Sequence, residues 1–322
     1  MSEPKFCQAS RKLIHLQKMN FSVVIPNYNG KILLEKNLPE VFKAFKSGEI
    51  IVVDDGSTDG SIKYLREHYP QVKLIEKVTN SGFATAVNLG VKAANGELVM
   101  LLNSDAVPNA DCLKYALPHF RDKSVFAVGC LDKSIESGQI IERGRGIGKF
   151  EHGFLVHRRG EVNKADTLWA SGGSSIFHKD TWEKLGGMDE IYNPFYWEDI
   201  DLSYRAQKAG FKIVFEPKSR IVHRHLDGSI KAHYSHEQVK EIAYRNQFIF
   251  VWENITYPSF LREHWLWLPY HLLTALMRGD LEFWRGLVAA LVQLPRILKK
   301  RQLLKRVFLK TDAEVLAPFT HE

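Results

Sequence analysis

Three short apolar runs, each closing on a polar or acidic residue, constrain this chain more than any other feature. FSVVIP (21–26) leads into Asn27, IIVVD (50–54) closes on Asp54 and Asp55, and ELVMLLN (97–103) leads into Ser104 and Asp105. Unbroken β-branched and aliphatic runs of this length read as strands buried on both faces, as in a parallel sheet. Between them lie helical signals: 59–68 opens on Asp and Ser, and 83–94 stops at Asn95-Gly96. The alternation continues to about Ile221, so right-handed βαβ units are expected. The expected class is α/β, with a Rossmann-like, mostly parallel central sheet and helices on both faces. Ligands meet such sheets beyond the carboxyl ends of the strands, and those ends are where the polar residues stand.

The chain has 322 residues, 45% hydrophobic and 25% charged. That balance excludes a disordered, collagen-like or disulfide-stapled chain. Cys7, Cys112 and Cys130 are scattered, with neither metal-ligand spacing nor a disulfide framework, which points to a reducing compartment. The first twenty residues lack a continuous apolar core of signal-peptide length, and no apolar run reaches ~18 residues, so neither a leader nor a spanning helix is expected. The expected organisation is a lead segment (1–20), a catalytic domain (21–228) and a C-terminal amphipathic helical region (229–322). Residues 132–166 are polar and glycine-rich and read as a hairpin or loop over the sheet. Gly144, Gly146 and Gly148 lie within it with the wrong spacing for a dinucleotide motif, so a flexible loop is expected there.

Five constellations carry chemistry. Pro26-Asn27-Tyr28-Asn29-Gly30 follows the first strand, and by itself is also a plain turn. Asp54-Asp55-Gly56-Ser57 puts carboxylates at the ligand edge, although a turn plus a helix cap would read the same. Asn103-Ser104-Asp105 offers a carboxylate for a hard divalent cation bridging a diphosphate, or simply a turn acid before Pro108. Tyr196-Trp197-Glu198-Asp199-Ile200-Asp201 crowds three acids beside aromatics, an environment that raises a carboxylate pKa and makes a usable base. The same acids would also suit a helix N-terminus. His223 closes a short strand, where an imidazole is an available ligand or a surface residue.

In this order, VVIPNYNG, VVDDGSTDGS, Asn80 to Asn88, LLNSD, GGMDE (186–190), WEDIDLSYRA and the His223 strand resemble the family 2 glycosyltransferases of GT-A fold, in their rhamnosyltransferase-like branch. The resemblance covers about residues 21–228. It implies that Pro26, Tyr28, Asp54, Asp55, Asn80 and Gly82, with Asn103 and Ser104, hold the nucleotide sugar. Asn103 stands where the family's D-x-D motif has its first acid, so Asp105 is the implied ligand of a Mg²⁺ or Mn²⁺ ion, completed by His223. Asp199 is the implied base, with Glu198 as the competing choice. Trp169, Gly172, Gly173 and Trp197 fall on the acceptor side. The implied reaction is inverting transfer of a sugar, rhamnose or another hexose, from a dTDP- or UDP-linked donor to a lipid-linked or polysaccharide acceptor. A nucleotidyltransferase of similar fold and a non-catalytic membrane scaffold are the alternatives.

The net charge of +7 equals the excess of residues 296–310, which hold seven Lys or Arg and no acid, interleaved with Leu298, Leu303, Leu304, Val307 and Phe308. This is the pattern of a basic amphipathic helix on an anionic membrane. Residues 259–310 are therefore expected to meet the cytoplasmic face of a cell membrane, or else to pack on the core with a solvated basic face. No nucleic-acid module accompanies the charge, so no nucleic-acid partner is expected.

Overall fold

The computed structural model describes residues 20–46, 48–136, 139–223 and 234–322. The strands are β1 (Phe21–Asn27), β2 (Glu49–Asp54), β3 (Lys73–Glu76), β4 (Leu98–Leu102), β5 (Ala106–Pro108), β6 (Val125–Glu136), β7 (Gln139–Arg143), β8 (Gly146–Glu151), β9 (Phe154–Arg159), β10 (Ser174–His178) and β11 (Lys212–His223). The α-helices are α1 (Lys31–Ala44), α2 (Ser61–His68), α3 (Phe83–Ala93), α4 (Cys112–Ala116), α5 (Lys179–Lys184), α6 (Glu198–Lys208), α7 (His236–Asn254), α8 (Pro258–Arg278), α9 (Leu281–Val292), α10 (Leu294–Lys305) and α11 (Asp312–Leu316).

The main sheet runs β3-β2-β1-β4-β10-β6-β11-β5, with β7 paired to β6. Strands β3, β2, β1 and β4 are mutually parallel, and β6 and β11 are parallel to each other. Only β10 runs antiparallel between β4 and β6, so β6 and β11 point the same way as β1 and β4. The carboxyl ends of β1, β2, β4 and β11 therefore share one rim, and the antiparallel β10 begins at that rim. This is the mostly parallel sheet expected from the three apolar runs.

Side-chain alternation divides each strand between two helical layers. Val23, Ile25, Val52 and Met100 pack with Leu34 and Leu38 of α1 and Leu65 of α2. Val24, Val53 and Leu101 pack on the other face with Val87 and Val91 of α3. A third core joins the β8–β9 hairpin and α6 to the C-terminal helices through Leu155, Trp197, Tyr204, Phe248, Phe250, Ile297 and Leu316. The expected boundary at 228/229 lies outside the described residues.

Three local expectations need correction. The glycine run at 144–148 is not a flexible loop. Gly146 and Gly148 lie in β8, and a Cβ on Gly146 would stand 2.2 Å from the Trp169 ring, so the strand needs glycine to lie against the indole. In the sequence Pro269 reads as a break in the apolar segment 265–277, but α8 runs through it, and the ring sits on the exposed side of the helix. Pro295 does mark a boundary, because it occupies the first turn of α10, where its missing N–H costs nothing.

The basic run is the third. Helix α10 buries Ile297 and Leu304 against the core. Arg296 and Lys300 pair with the buried Asp189, Lys300 also lies 3.7 Å from Glu253, and Arg301 donates to the Trp252 carbonyl at 2.8 Å. Burial alone would raise the Asp189 carboxyl, but Lys300 outweighs it and holds the pKa below the ordinary value. Much of the basic run thus holds the fold together, and the alternative of packing on the core describes α10 better than a free membrane helix.

Candidate functional site

The first rim segment is the turn after β2. Asp54 is fully buried, and both of its oxygens are engaged: Asn27 donates to Oδ2 at 2.9 Å and the Ser57 N–H to Oδ1 at 2.8 Å. What Asp54 offers a ligand is the turn it builds. Asp55 is held by Lys77 and by the backbone N–H groups of Ser81 (3.0 Å) and Gly82 (2.9 Å), so it organises the 79–82 loop at the mouth of β2 and β3. Asn80 is exposed and its Oδ1 accepts from the Gly82 N–H at 3.0 Å. Gly82 has φ +96°, and a Cβ there would stand 2.6 Å from the Asn193 side chain, so no other residue fits this turn without displacement. Pro26 and Tyr28 are half-buried at the end of β1.

The second segment follows β4. Asn37 of α1 donates to the Ser104 carbonyl at 2.9 Å and so fixes the loop carrying Asp105. Asp105 Oδ1 lies 3.5 Å from His223 Nε2 at the end of β11, and the other ring nitrogen of His223 faces Asp132 of β6. Burial disfavours the imidazolium, but Asp132 and Asp105 outweigh it and raise the His223 pKa. A carboxylate on the far nitrogen is the arrangement that orients a metal-ligating imidazole. Two ligands of one octahedral ion with ~2.1 Å bonds sit about 3 Å apart, so the Asp105–His223 pair fits a divalent cation. No group of three or more His, Cys, Asp or Glu that could hold a metal is found among the described residues, so a diphosphate and water would have to complete the shell.

The third segment opens α6. Tyr196 and Trp197 both have left-handed φ (70° and 78°), strain of ~1–3 kcal/mol each that neighbours must hold in place. The buried Asn246 of α7 does this, donating to the carbonyls of Tyr192 (3.1 Å), Phe195 (3.0 Å) and Tyr196 (2.8 Å). Glu198 and Asp199 follow in the first helical turn, where the helix dipole favours negative charge. Asp199 is half-buried and accepts from the N–H groups of Gly172 (3.1 Å) and Ile200 (2.8 Å). Glu198 is buried, and its Oε2 has no hydrogen-bond partner among the described residues. Burial raises both carboxyls, that of Glu198 well above its ordinary value because the Asp199 charge adds to it. Asp199, which accepts from two backbone N–H groups, is better placed than Glu198 to carry the charge of the pair.

Contacts join these segments into one rim. The Asn103 N–H donates to the Gly173 carbonyl at 3.0 Å, and the next residue back, Gly172, donates to Asp199. Asn193, in the loop leading to Asp199, accepts from the Ala84 N–H at 3.1 Å and packs against Gly82, whose N–H is held by Asp55. Trp169 and Trp197 are bridged by the His157 ring at 5.6 and 4.9 Å between centroids. Asp132, Lys77, His157, Asn193 and Asn246 escaped the sequence reading. Asp132 carries a usable signal, an acid that closes the apolar run 125–131. The others act through partners far away in the chain.

Solved structures share this architecture, which is that of the GT-A glycosyltransferases. Staphylococcal TarS (residues 1–349, with UDP-GlcNAc) aligns with a TM-score of 0.58 and 16% identity over 94% of this chain and 89% of that one. The mannosyltransferase PcManGT of Pyrobaculum calidifontis, with GDP-Man and Mn²⁺, aligns with a TM-score of 0.53 and 17% identity over 89% and 94%. The sequence profile of glycosyl transferase family 2 matches residues 22–185, and the chain belongs to that family. Among curated proteins it is 24% identical over 213 residues to poly-beta-1,6-N-acetyl-D-glucosamine synthase of Staphylococcus epidermidis, covering 64% of this chain and 50% of that protein. The Staphylococcus aureus (strain COL) synthase is 26% identical over 199 residues, covering 59% and 46%. The chain spans about half the length of these curated relatives.

Proposed function

We propose that this chain is an inverting glycosyltransferase. It moves a hexose, rhamnose or another, from a UDP- or dTDP-linked donor to a lipid-linked or polysaccharide acceptor at the cytoplasmic face of a cell membrane. The observation that carries this reading is the run of contacts from the Asp105 loop through Gly173 and Gly172 to Asp199. It sets a candidate phosphate-side acid and a candidate base on one rim. The relatives' names support a nucleotide-sugar donor and a glycan product.

In this reading the nucleotide lies along Pro26, Tyr28, Asn80, Gly82, Asn103 and Ser104. Asp55 holds the loop that closes over the base, and Asp54 shapes the turn beneath it. Asp105 and His223 would hold a Mg²⁺ or Mn²⁺ ion, and when bound it neutralises charge on the departing diphosphate. Asp132 fixes the His223 ring. Asp199 takes the proton of the acceptor hydroxyl, and Glu198 stays protonated beside it. Trp169, half-buried, faces the acceptor side, whereas Trp197, placed there by the sequence, is 6% exposed and packs on Phe250, so it supports the turn from the core. Product analysis tests the reaction class: release of nucleoside diphosphate is expected, and release of pyrophosphate would mean nucleotidyl transfer. Chelation with EDTA is expected to lower turnover at least tenfold, with added Mn²⁺ restoring it, while full activity in chelator would remove the ion from this reading. Asn246→Ala is expected to lower kcat roughly 10–100-fold with donor KM nearly unchanged, because the Tyr196-Trp197 turn relaxes and displaces Asp199. A wild-type kcat in that variant would show that the turn holds its shape unaided.

A further inference from the structure

The outward side of α8 is apolar from Trp265 to Met277. Residues 264–277 contain no Asp, Glu, Lys or Arg. At 3.6 residues per turn, the exposed Trp265, Leu266, Pro269, Tyr270, Leu273, Leu276 and Met277 fall within an arc of about 140°. Leu266 and Met277 are 78% and 76% exposed, and Trp265 60%. The opposite side buries His264 and Ala275 in the core, so the helix is seated and its outer face is left over. Helix α9 repeats the pattern with exposed Leu281, Val288 and Val292 in one row. A contiguous exposed apolar surface of this kind marks an interaction site.

Charge complementarity decides the occupant. Across α8 and α9 the cations are Arg262, Arg278 and Arg285 and the acids Glu263, Asp280 and Glu282, but the acids are held by the protein itself: Asp280 and Glu282 pair with Lys240, and Glu263 accepts from the Gly153 N–H. Exposed Arg262 and Arg278 stand at the two ends of α8, and exposed Arg285 lies in the α9 row. An apolar stripe with Trp and Tyr along it and Arg at its margins suits a bilayer boundary, with rings at headgroup level and cations on anionic phosphates. No helix among the described residues is long and apolar enough to cross a membrane, so such a contact lies on the surface. We infer that the outer faces of α8 and α9, and not the basic helix α10, form the docking surface for a bilayer containing anionic lipid.

The test is co-sedimentation of the full chain with phosphatidylcholine vesicles, with and without phosphatidylglycerol. The variant Leu266→Glu with Met277→Glu changes only exposed positions, so its thermal midpoint should match the wild type. The wild type is expected to sediment with the phosphatidylglycerol vesicles and much less with phosphatidylcholine alone. The double variant is expected to lose at least tenfold in partitioning, and Leu266→Phe to retain it. Failure of the wild type to sediment, or equal binding by the double variant, overturns the inference. So does a dimer in sedimentation velocity that the double variant dissociates while vesicle binding persists, since the face would then belong to a second copy. The readout needs no donor or acceptor, so it stands apart from the enzymatic reading.

Discussion

Asp199→Asn is expected to lower kcat for sugar transfer by about 10³-fold, within the range a positioned general base contributes. Nucleoside diphosphate binding should be unchanged, because Asp199 contacts Gly172 and Ile200 and not the loop at Asp55. Glu198→Gln separates the two acids. Burial and the Asp199 charge raise the Glu198 carboxyl well above its ordinary value, which favours its neutral form beside an ionised Asp199. A glutamine copies that neutral form, and activity should stay within about tenfold of wild type. The pH profile follows in sign. The raised Asp199 pKa means the base is lost by protonation at a higher pH than an ordinary aspartate, so the acid limb of kcat/KM should lie higher than an unperturbed aspartate would place it. A folded carboxyl with a raised pKa adds no stability once ionised, so Asp199→Asn should keep or slightly raise the thermal midpoint. Equal losses in both variants would show that the pair acts as a unit and that the assignment to Asp199 fails.

The largest expected effect on stability is at Asp312, far from the rim. Asp312 is fully buried and accepts from five groups: Tyr204 OH (2.7 Å), Lys208 Nζ (2.7 Å), the Thr256 N–H (2.7 Å), Thr256 Oγ1 (3.2 Å) and the Tyr257 N–H (2.6 Å). It joins α6, the α7–α8 turn and α11 at one point. Lys208 is equally buried, and burial already pulls its pKa down against the Asp312 charge. Removing the acid strands an ammonium and two backbone N–H groups away from water. Asp312→Ala should cost about 3–5 kcal/mol. For a chain of this size that is a fall in Tm of roughly 4–7 °C, checked by calorimetry. Lys208→Met with Asp312→Leu should recover only the part due to the stranded ammonium, since the Thr256 and Tyr257 N–H groups still lose their acceptor. A midpoint unmoved by Asp312→Ala would show that the C-terminal helices are held by apolar packing alone.

Much of the sheet was legible because its signal is local. A run such as IIVVD names its strand by continuity and its ligand edge by the acid that ends it, and both survive at β2. The helix opening on Glu198 and Asp199 was legible for the same reason, through its acids and the Gly210 stop, where φ is +91°. What stayed hidden depends on partners distant in sequence. Two adjacent acids after β2 look equivalent in the chain, yet one serves Asn27 and Ser57 and the other Lys77 and the 81–82 backbone. The clamp by Asn246 on carbonyls about fifty residues earlier has no local mark at all. In the C-terminal region composition misdirected the reading. Cations at 296–301 looked like a free basic face, but Asp189 and the Trp252 carbonyl consume Arg296, Lys300 and Arg301, and the open apolar surface is on α8.

The central claim is that Asp55, Asp105 and Asp199 serve a single cleft for one activated sugar. A crystal structure of the full chain soaked with UDP and Mn²⁺, read by manganese anomalous scattering, tests it most directly. The expected result is a manganese peak beside Asp105 and His223, diphosphate density on that ion, and the uracil against the loop held by Asp55, with the free phosphate end facing Asp199. UDP density on any other face, or a manganese peak bound to the nucleotide away from Asp105, would contradict it.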